Sequence, residues 1–336
     1  MTSLDRLAID PSAHALVTGG AGFIGTNLIN ALIARGVSVT ALDRPNARFS
    51  HLPPTCSVMK VDLLDAAGLS NLTSDFDYVF HLAARGDLDG KTVDDYRTNF
   101  VGTENLLKRV ASARVKRFIY YSSLLATGIW NETRFINEEE QPRTTTLYGQ
   151  SKILGEQTTQ RLCETAAVPW TVIRPVSVYG PYGHVPYRDF FLTIKRRQYF
   201  HIGAASNLVS LVHVDNLCEL TLLLAAEPCA ANQVFFGGEI YPYTMRQFAD
   251  AAARHFGVQL RTLPLAVAWT AAYALGAFKQ LGMNVPLYPY RLQTIRTNYC
   301  ADIRKSLACG YQPTLGLEDG IRKTLDWYQQ NDAAFK

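Results

Sequence analysis

The chain has 336 residues, of which 48% are apolar and 18% charged, with a formal net charge of +4. Such a chain can bury a large core, and its composition excludes an intrinsically disordered protein. Basic residues are scattered apart from Lys195, Arg196 and Arg197, so no basic stripe points to nucleic acid as a partner.

Met1 to His14 mixes Asp5, Arg6 and Asp10 among its apolar residues and has no signal-peptide pattern, which reads as a cytoplasmic protein. Cys56, Cys163, Cys218, Cys229, Cys300 and Cys309 are spread without any C-x-x-C pair, so reduced thiols are expected, with neither a zinc ribbon nor a redox motif. No set of metal ligands at useful spacing is present, and His81, inside an apolar run, reads as a structural histidine.

Short apolar or β-branched runs at 13–18, 37–42, 57–61, 78–82, 118–122 and 170–173 alternate with helical patterns such as 99–110. This alternation predicts an α/β fold with a doubly wound parallel sheet, and strands covered on both faces explain runs such as Ala15-Leu16-Val17. Residues 1–174, rejoined by 211–236, are expected to form the dinucleotide-binding domain. A smaller substrate lobe is expected from 175–210 and 237–336, beginning where Tyr179 to Pro186 turns rich in Gly, Pro and Tyr.

The first strand runs into Thr18-Gly19-Gly20-Ala21-Gly22-Phe23-Ile24-Gly25. Glycines here let the backbone approach a pyrophosphate, and the free N–H groups of the following helix stabilise its charge. Asp43 ends the second strand, where an acid binds the adenosine ribose hydroxyls, so NAD is the expected cofactor. Arg44, next to it, could pair with the 2′-phosphate of NADP if the acid turned away.

Tyr148 and Lys152 stand four residues apart, on one face of a helix. A nearby ammonium favours phenolate and brings the phenol into range for proton exchange with a substrate hydroxyl. Ser122 and Ser123 end the strand at the carboxyl edge of the sheet, where a hydroxyl can hold a carbonyl oxygen or simply cap a turn.

Together with Asp62-Leu63, His81-Leu82-Ala83-Ala84, Asn99 with Gly102-Thr103-Glu104-Asn105-Leu106, Arg174-Pro175, Val178-Tyr179-Gly180-Pro181 and His213-Val214-Asp215, these motifs resemble the extended short-chain dehydrogenase/reductase family over nearly the whole chain. The resemblance implies Ser123, Tyr148 and Lys152 as the catalytic set, with Lys152 also bonding the nicotinamide ribose. It places Asp62 and Leu63 by the adenine, has Leu82, Ala83, Ala84 and Pro175 line the cofactor, and lets Asn99 support the pocket or a proton relay. Analogy also suggests a homodimer through the Tyr148 helix.

For the substrate, the family offers several classes. Gly203 to Asn207 and Ala230 to Phe235 look like bacterial sugar-nucleotide epimerases and 4-ketoreductases, the favoured reading from sequence. Against it, Ser177 stands where an asparagine often contacts the ligand, and the usual diphosphate-gripping arginine before the His-Val-Asp motif is missing. Arg188, Arg196, Arg197, Arg291 and Arg296 are the replacement candidates, Arg188 and Arg291 foremost, with Ser122 and Ser177 as hydroxyl donors.

The alternative is a dehydrogenase of the 3β-hydroxysteroid type acting on an apolar alcohol, because the tail from Leu263 resembles such proteins. The uncharged run from Leu263 to Phe278 is shorter than the roughly 20 residues of a membrane span and reads as a buried, interfacial or peripheral membrane-contacting helix. A non-catalytic NAD-binding regulator is the third reading.

Overall fold

The computed structural model of the chain describes residues 9–112, 114–128, 134–184, 186–280, 292 and 297–336, with only the backbone of 276–280. Six strands enter the main sheet in chain order: β1 (His14–Thr18), β2 (Ser38–Asp43), β3 (Ser57–Lys60), β4 (Tyr78–His81), β5 (Arg117–Tyr121) and β6 (Trp170–Pro175). Four short strands lie outside it, β7 (Ser177–Tyr179), β8 (Phe200–Ile202), β9 (Leu208–Val209) and β10 (Leu211–His213), before β11 (Gln233–Gly237) returns to pair with β6.

The resulting seven-stranded sheet has the order β11-β6-β5-β4-β1-β2-β3, and its pairings are parallel. The winding direction reverses between β1 and β4, which opens a crevice at their carboxyl ends. Helices α1 (Phe23–Ile33), α2 (Val101–Val110) and α3 (Leu147–Thr165) are joined by α4 (Tyr187–Lys195) and α5 (Val214–Ala226).

Each face of the sheet is sealed by apolar stripes. Leu28, Ile29 and Leu32 of α1 pack with Leu217 and Leu220 of α5 on one side. Leu106, Leu107 and Val110 of α2 pack with Cys163 of α3 on the other. Burial on both faces is why the strands lack a two-residue alternation. Within 211–236, β10 pairs with β7 outside the main sheet, α5 packs on that sheet, and β11 joins it beside β6.

The lobe rests on an aromatic core in which Phe191 of α4, Phe248 of α6 (Met245–Phe256) and Leu325 and Tyr328 of the C-terminal helix Leu317–Asn331 are fully buried. Two-stranded ribbons pair β12 (Tyr243–Thr244) with β9, and β13 (Arg261–Leu263) with β8. After β13 the apolar run forms α7 (Leu265–Gln280), and no described helix is long and apolar enough to cross a membrane.

One expectation is corrected. Cys229 and Cys309 form a disulfide across a sequence separation of 80, while Cys56, Cys163, Cys218 and Cys300 are free and buried. The pair meets because the helix Arg304–Ala308 packs on β11 just after the turn that carries Cys229, a proximity made by tertiary structure alone.

Candidate active site

The glycine loop sits in the crevice between β1 and β4. Gly19 has φ +68°, and a Cβ there would lie 2.8 Å from the backbone N of Ala83; one on Gly25 would lie 2.2 Å from the Gly19 carbonyl oxygen. Only glycine fits either place. Gly22 starts α1 without a side-chain cap, so first-turn N–H groups stay open to an anion. These features fit a dinucleotide pyrophosphate.

Around the loop, Asp43 closes β2 and accepts from the backbone N–H of Ala21 at 3.1 Å and of Arg44 at 2.8 Å, with the Arg44 side chain exposed. Asp62 accepts from Leu64 N at 2.9 Å, and the Leu63 carbonyl is held by Asn105 at 2.9 Å. Leu82 N donates to the Thr18 carbonyl at 3.2 Å and Ala83 N to the Thr18 hydroxyl at 3.2 Å, which lays Leu82, Ala83 and Ala84 along the glycine loop. Pro175 ends β6 at the same edge.

His81 is held by Thr18 at 2.7 Å and Thr103 at 2.8 Å, one on each ring nitrogen. Burial pushes its pKa down to about 3, so it is neutral and structural. A cavity of about 660 Å³ beside the loop is lined by Gly22, Phe23, Arg48, His51, His184 and Arg188. Arg48, His51 and His184 carried no motif signal and were not foreseen from sequence.

The catalytic candidates stand on the first turns of α3, which starts where the Thr146 hydroxyl accepts from Gly149 N. Lys152 is 3% exposed, and its Nζ donates to the Tyr121 carbonyl at 2.7 Å, 5.1 Å from the Tyr120 ring centre and 5.9 Å from that of Tyr148. Burial lowers its pKa to about 7, against an upward pull from Glu156. Ser123 caps a turn by accepting from Leu125 N at 3.1 Å and also hydrogen-bonds the Tyr148 phenol.

In the protein alone the phenol is not loosened as expected. Burial pushes Tyr148 up to about 12, the Ser123 hydrogen bond pulls it down only in part, and Tyr96 adds to the rise. Desolvation wins because Lys152 is itself desolvated and, at neutral pH, only partly charged. A phenolate here needs further positive charge or hydrogen bonds from bound ligands.

Asn99 is 1% exposed, and its amide is committed: Nδ2 donates to Ser151 Oγ at 2.8 Å and to the Arg85 carbonyl at 3.1 Å, while Oδ1 accepts from Arg85 N at 2.8 Å. It therefore ties α3 to the strand-end loop beside the cofactor cleft. Below Lys152, Glu156 forms a buried pair with Arg174 at 2.9 and 2.7 Å and accepts from the Ser122 hydroxyl. Ser122 is thus hydrogen-bonded into this network.

The other substrate candidates are also redistributed. Ser177 hydrogen-bonds the partly buried Tyr187. Arg188 pairs with Asp332 at 2.6 Å and Asp189 at 3.0 Å in the cavity beside the glycine loop, so its side chain serves the lobe's own packing. Arg196 and Arg197 lie exposed after α4, and Arg291 and Arg296 fall outside the described residues.

Two other phenols lie near Tyr148. The Tyr96 ring lies 6.1 Å away, and the partly buried Tyr299 is close enough to feel the charge of both Tyr148 and Tyr187. Tyr299 arrives on a segment whose backbone donates to Leu208 at 2.8 Å and accepts from Ser210 at 2.7 Å. Sequence reasoning missed it, since nothing local marks residue 299.

Residues 15–237 match the model of the NAD dependent epimerase/dehydratase family. A 3 beta-hydroxysteroid dehydrogenase/Delta 5→4-isomerase of Mycobacterium tuberculosis is 28% identical over 94% of this chain and 90% of its own length. A UDP-glucose 4-epimerase of Vibrio cholerae is 30% identical over 66% of this chain and 69% of its own. Among solved structures, an epimerase of Methanothermobacter thermautotrophicus superposes with a TM-score of 0.81 at 22% identity, covering 100% of this chain and 97% of that one, a likeness of fold. The chain belongs to the NAD-dependent epimerase/dehydratase family of enzymes.

Proposed function

We propose that this enzyme exchanges a hydride between NAD and an apolar secondary alcohol or ketone, of the kind handled by 3β-hydroxysteroid-type dehydrogenases. The observation that carries the reading is the set of groups facing the catalytic phenol. Tyr96 and Tyr299 approach it, whereas Arg188, the foremost described arginine proposed for a diphosphate, is bound to Asp332 and Asp189. An aromatic wall suits an apolar skeleton, and a sugar diphosphate needs charge-assisted partners. The relative from M. tuberculosis, alike over most of both chains, points the same way.

Gly19, Gly22, Phe23, Ile24 and Gly25 would cradle the pyrophosphate, Asp43 the adenosine ribose, and Asp62 and Leu63 the adenine, with Leu82 to Ala84 along one wall. Bound NAD supplies a hydride acceptor, and its reduced form a donor. Tyr148 then takes the proton from the substrate hydroxyl, or returns it to the ketone oxygen, while Ser123 holds that oxygen. Lys152, when charged, stabilises the phenolate. Asn99 and Glu156 fix the elements that carry these groups. Intact Ser123, Tyr148 and Lys152 weigh against a silent regulator.

A homodimer remains part of the proposal, supported by family analogy. A nucleotide-sugar 4-epimerase is the second reading, favoured by the V. cholerae relative at 30% identity. Following cofactor absorbance with a panel of 3β-hydroxysteroids and UDP-hexoses tests the choice. Turnover of the steroids alone is expected, and turnover of UDP-hexoses alone would overturn it.

A further inference from the structure

We propose that the outer face of the lobe formed by α7 and the β8–β13 ribbon docks on an anionic phospholipid bilayer. This reading concerns elements that carry none of the catalytic candidates and stands apart from the substrate choice.

The apolar part of the face starts at α7. Ala268 and Ala272 are fully buried and pack with Ile202, Leu263 and Trp269, while Val267 is 50% and Tyr273 66% exposed on the same helix. The Trp269 and Tyr273 rings stack at 5.8 Å. No charged residue interrupts the helix from Leu265 to Phe278. An uncharged helix with aromatic residues at its surface matches the interface of a bilayer, where Trp and Tyr settle at headgroup depth.

The ribbon extends that face. Alternate strand residues share a side, so Phe200, 46% exposed, projects on the side of Ile202, which packs against α7. Arg261 is paired in register with Phe200 and is exposed. His201, on the other side, is buried and bonded to Asp250 at 2.9 Å, so that carboxylate is already engaged beneath the ribbon.

Charge selects the partner. The two described segments that build this face, 190–214 and 251–280, contain no Asp or Glu, and they carry Arg196, Arg197 and Arg261 exposed around the ribbon. A patch that is apolar at its centre, basic at its rim and free of acids complements a bilayer with anionic headgroups. A neutral protein partner would not require the missing acids. Each basic residue near such a surface strengthens binding about fivefold.

The test is sedimentation of the purified full chain with vesicles of equimolar phosphatidylglycerol and phosphatidylcholine, and with vesicles of phosphatidylcholine alone. Strong binding to the anionic vesicles, weakened by high salt, is expected. Arg196→Glu/Arg197→Glu/Arg261→Glu should weaken it by on the order of a hundredfold, and Val267→Ser/Tyr273→Ser should also reduce it. Both variants are expected to keep wild-type NAD affinity, which checks that they fold.

Equal binding to both vesicle types, no binding to either, or unchanged binding of both variants would overturn the proposal. So would a chain that ignores vesicles and falls from dimer to monomer on Val267→Ser/Tyr273→Ser, since the face would then be a contact between copies.

Discussion

The cofactor half and the substrate half of this molecule are built by different rules. In the first, backbone geometry does most of the work: a positive φ at Gly19, an uncapped helix start at Gly22, and strand ends that deliver Asp43, Ser123 and Pro175 to one edge. In the second, side chains decide, and they come from segments distant in sequence, such as Tyr187, Tyr299 and the Arg188–Asp332 pair. Backbone requirements leave motifs, whereas side-chain convergence leaves almost none.

Four substitutions or conditions probe that contrast, from the largest effect to the smallest. Glu156→Ala strands the buried Arg174 guanidinium, whose partner side chains are only 4% and 5% exposed. It should cost about 3–5 kcal/mol of stability by denaturant unfolding, and a loss below about 1 kcal/mol would show that the network is not what holds α3 to β6. Gly19→Ala forces a Cβ to within 2.8 Å of Ala83 N at a positive φ. NAD affinity by titration should fall on the order of a hundredfold, and unchanged affinity would remove the loop from the cofactor site.

Acid comes next. Burial lowers His81 to about 3 and His213 to about 4, both below the ordinary 6.5. Between those values and 6.5 the unfolded chain binds protons that the folded one refuses. Stability is therefore full above pH 6.5 and falls as pH drops toward the folded values, by about 2 kcal/mol for each histidine near pH 5. His81→Gln should flatten the unfolding profile across that window, and an identical profile would place the acid sensitivity elsewhere.

The smallest effect belongs to the lobe. Arg188→Ala removes a partly exposed pair and should cost about 1 kcal/mol or less, with substrate KM unmoved. A tenfold rise in KM for a UDP-hexose would return Arg188 to the diphosphate role that its pairing with Asp332 argues against.

The legible part of the chain follows the same division. The parallel sheet, the glycine loop, Asp43 and the Tyr148–Lys152 spacing could be read because each follows from a local periodicity or a fixed offset. The short ribbons could not be seen, since two- or three-residue strands such as β9 and β12 carry no period. Neither could the Cys229–Cys309 disulfide, whose halves meet only after the C-terminal segment packs on β11.

Ser122 and Ser123 show the limit at single-residue scale. Adjacent hydroxyls at a strand end are indistinguishable in sequence, yet the alternation of side chains sends one to Glu156 and the other to Tyr148. The pKa of Tyr148 makes a similar point. Spacing alone argues for a phenol lowered by Lys152, and only burial, which spacing does not report, reverses the sign in the free protein.

The central claim is that the Tyr148 phenol carries the substrate proton. Comparing wild type with Tyr148→Phe in single-turnover experiments, with NAD affinity measured in parallel, tests it most directly. The account expects the hydride-transfer rate to fall by about a hundredfold to ten-thousandfold while NAD binds as before. A Phe variant that transfers hydride at the wild-type rate would contradict it.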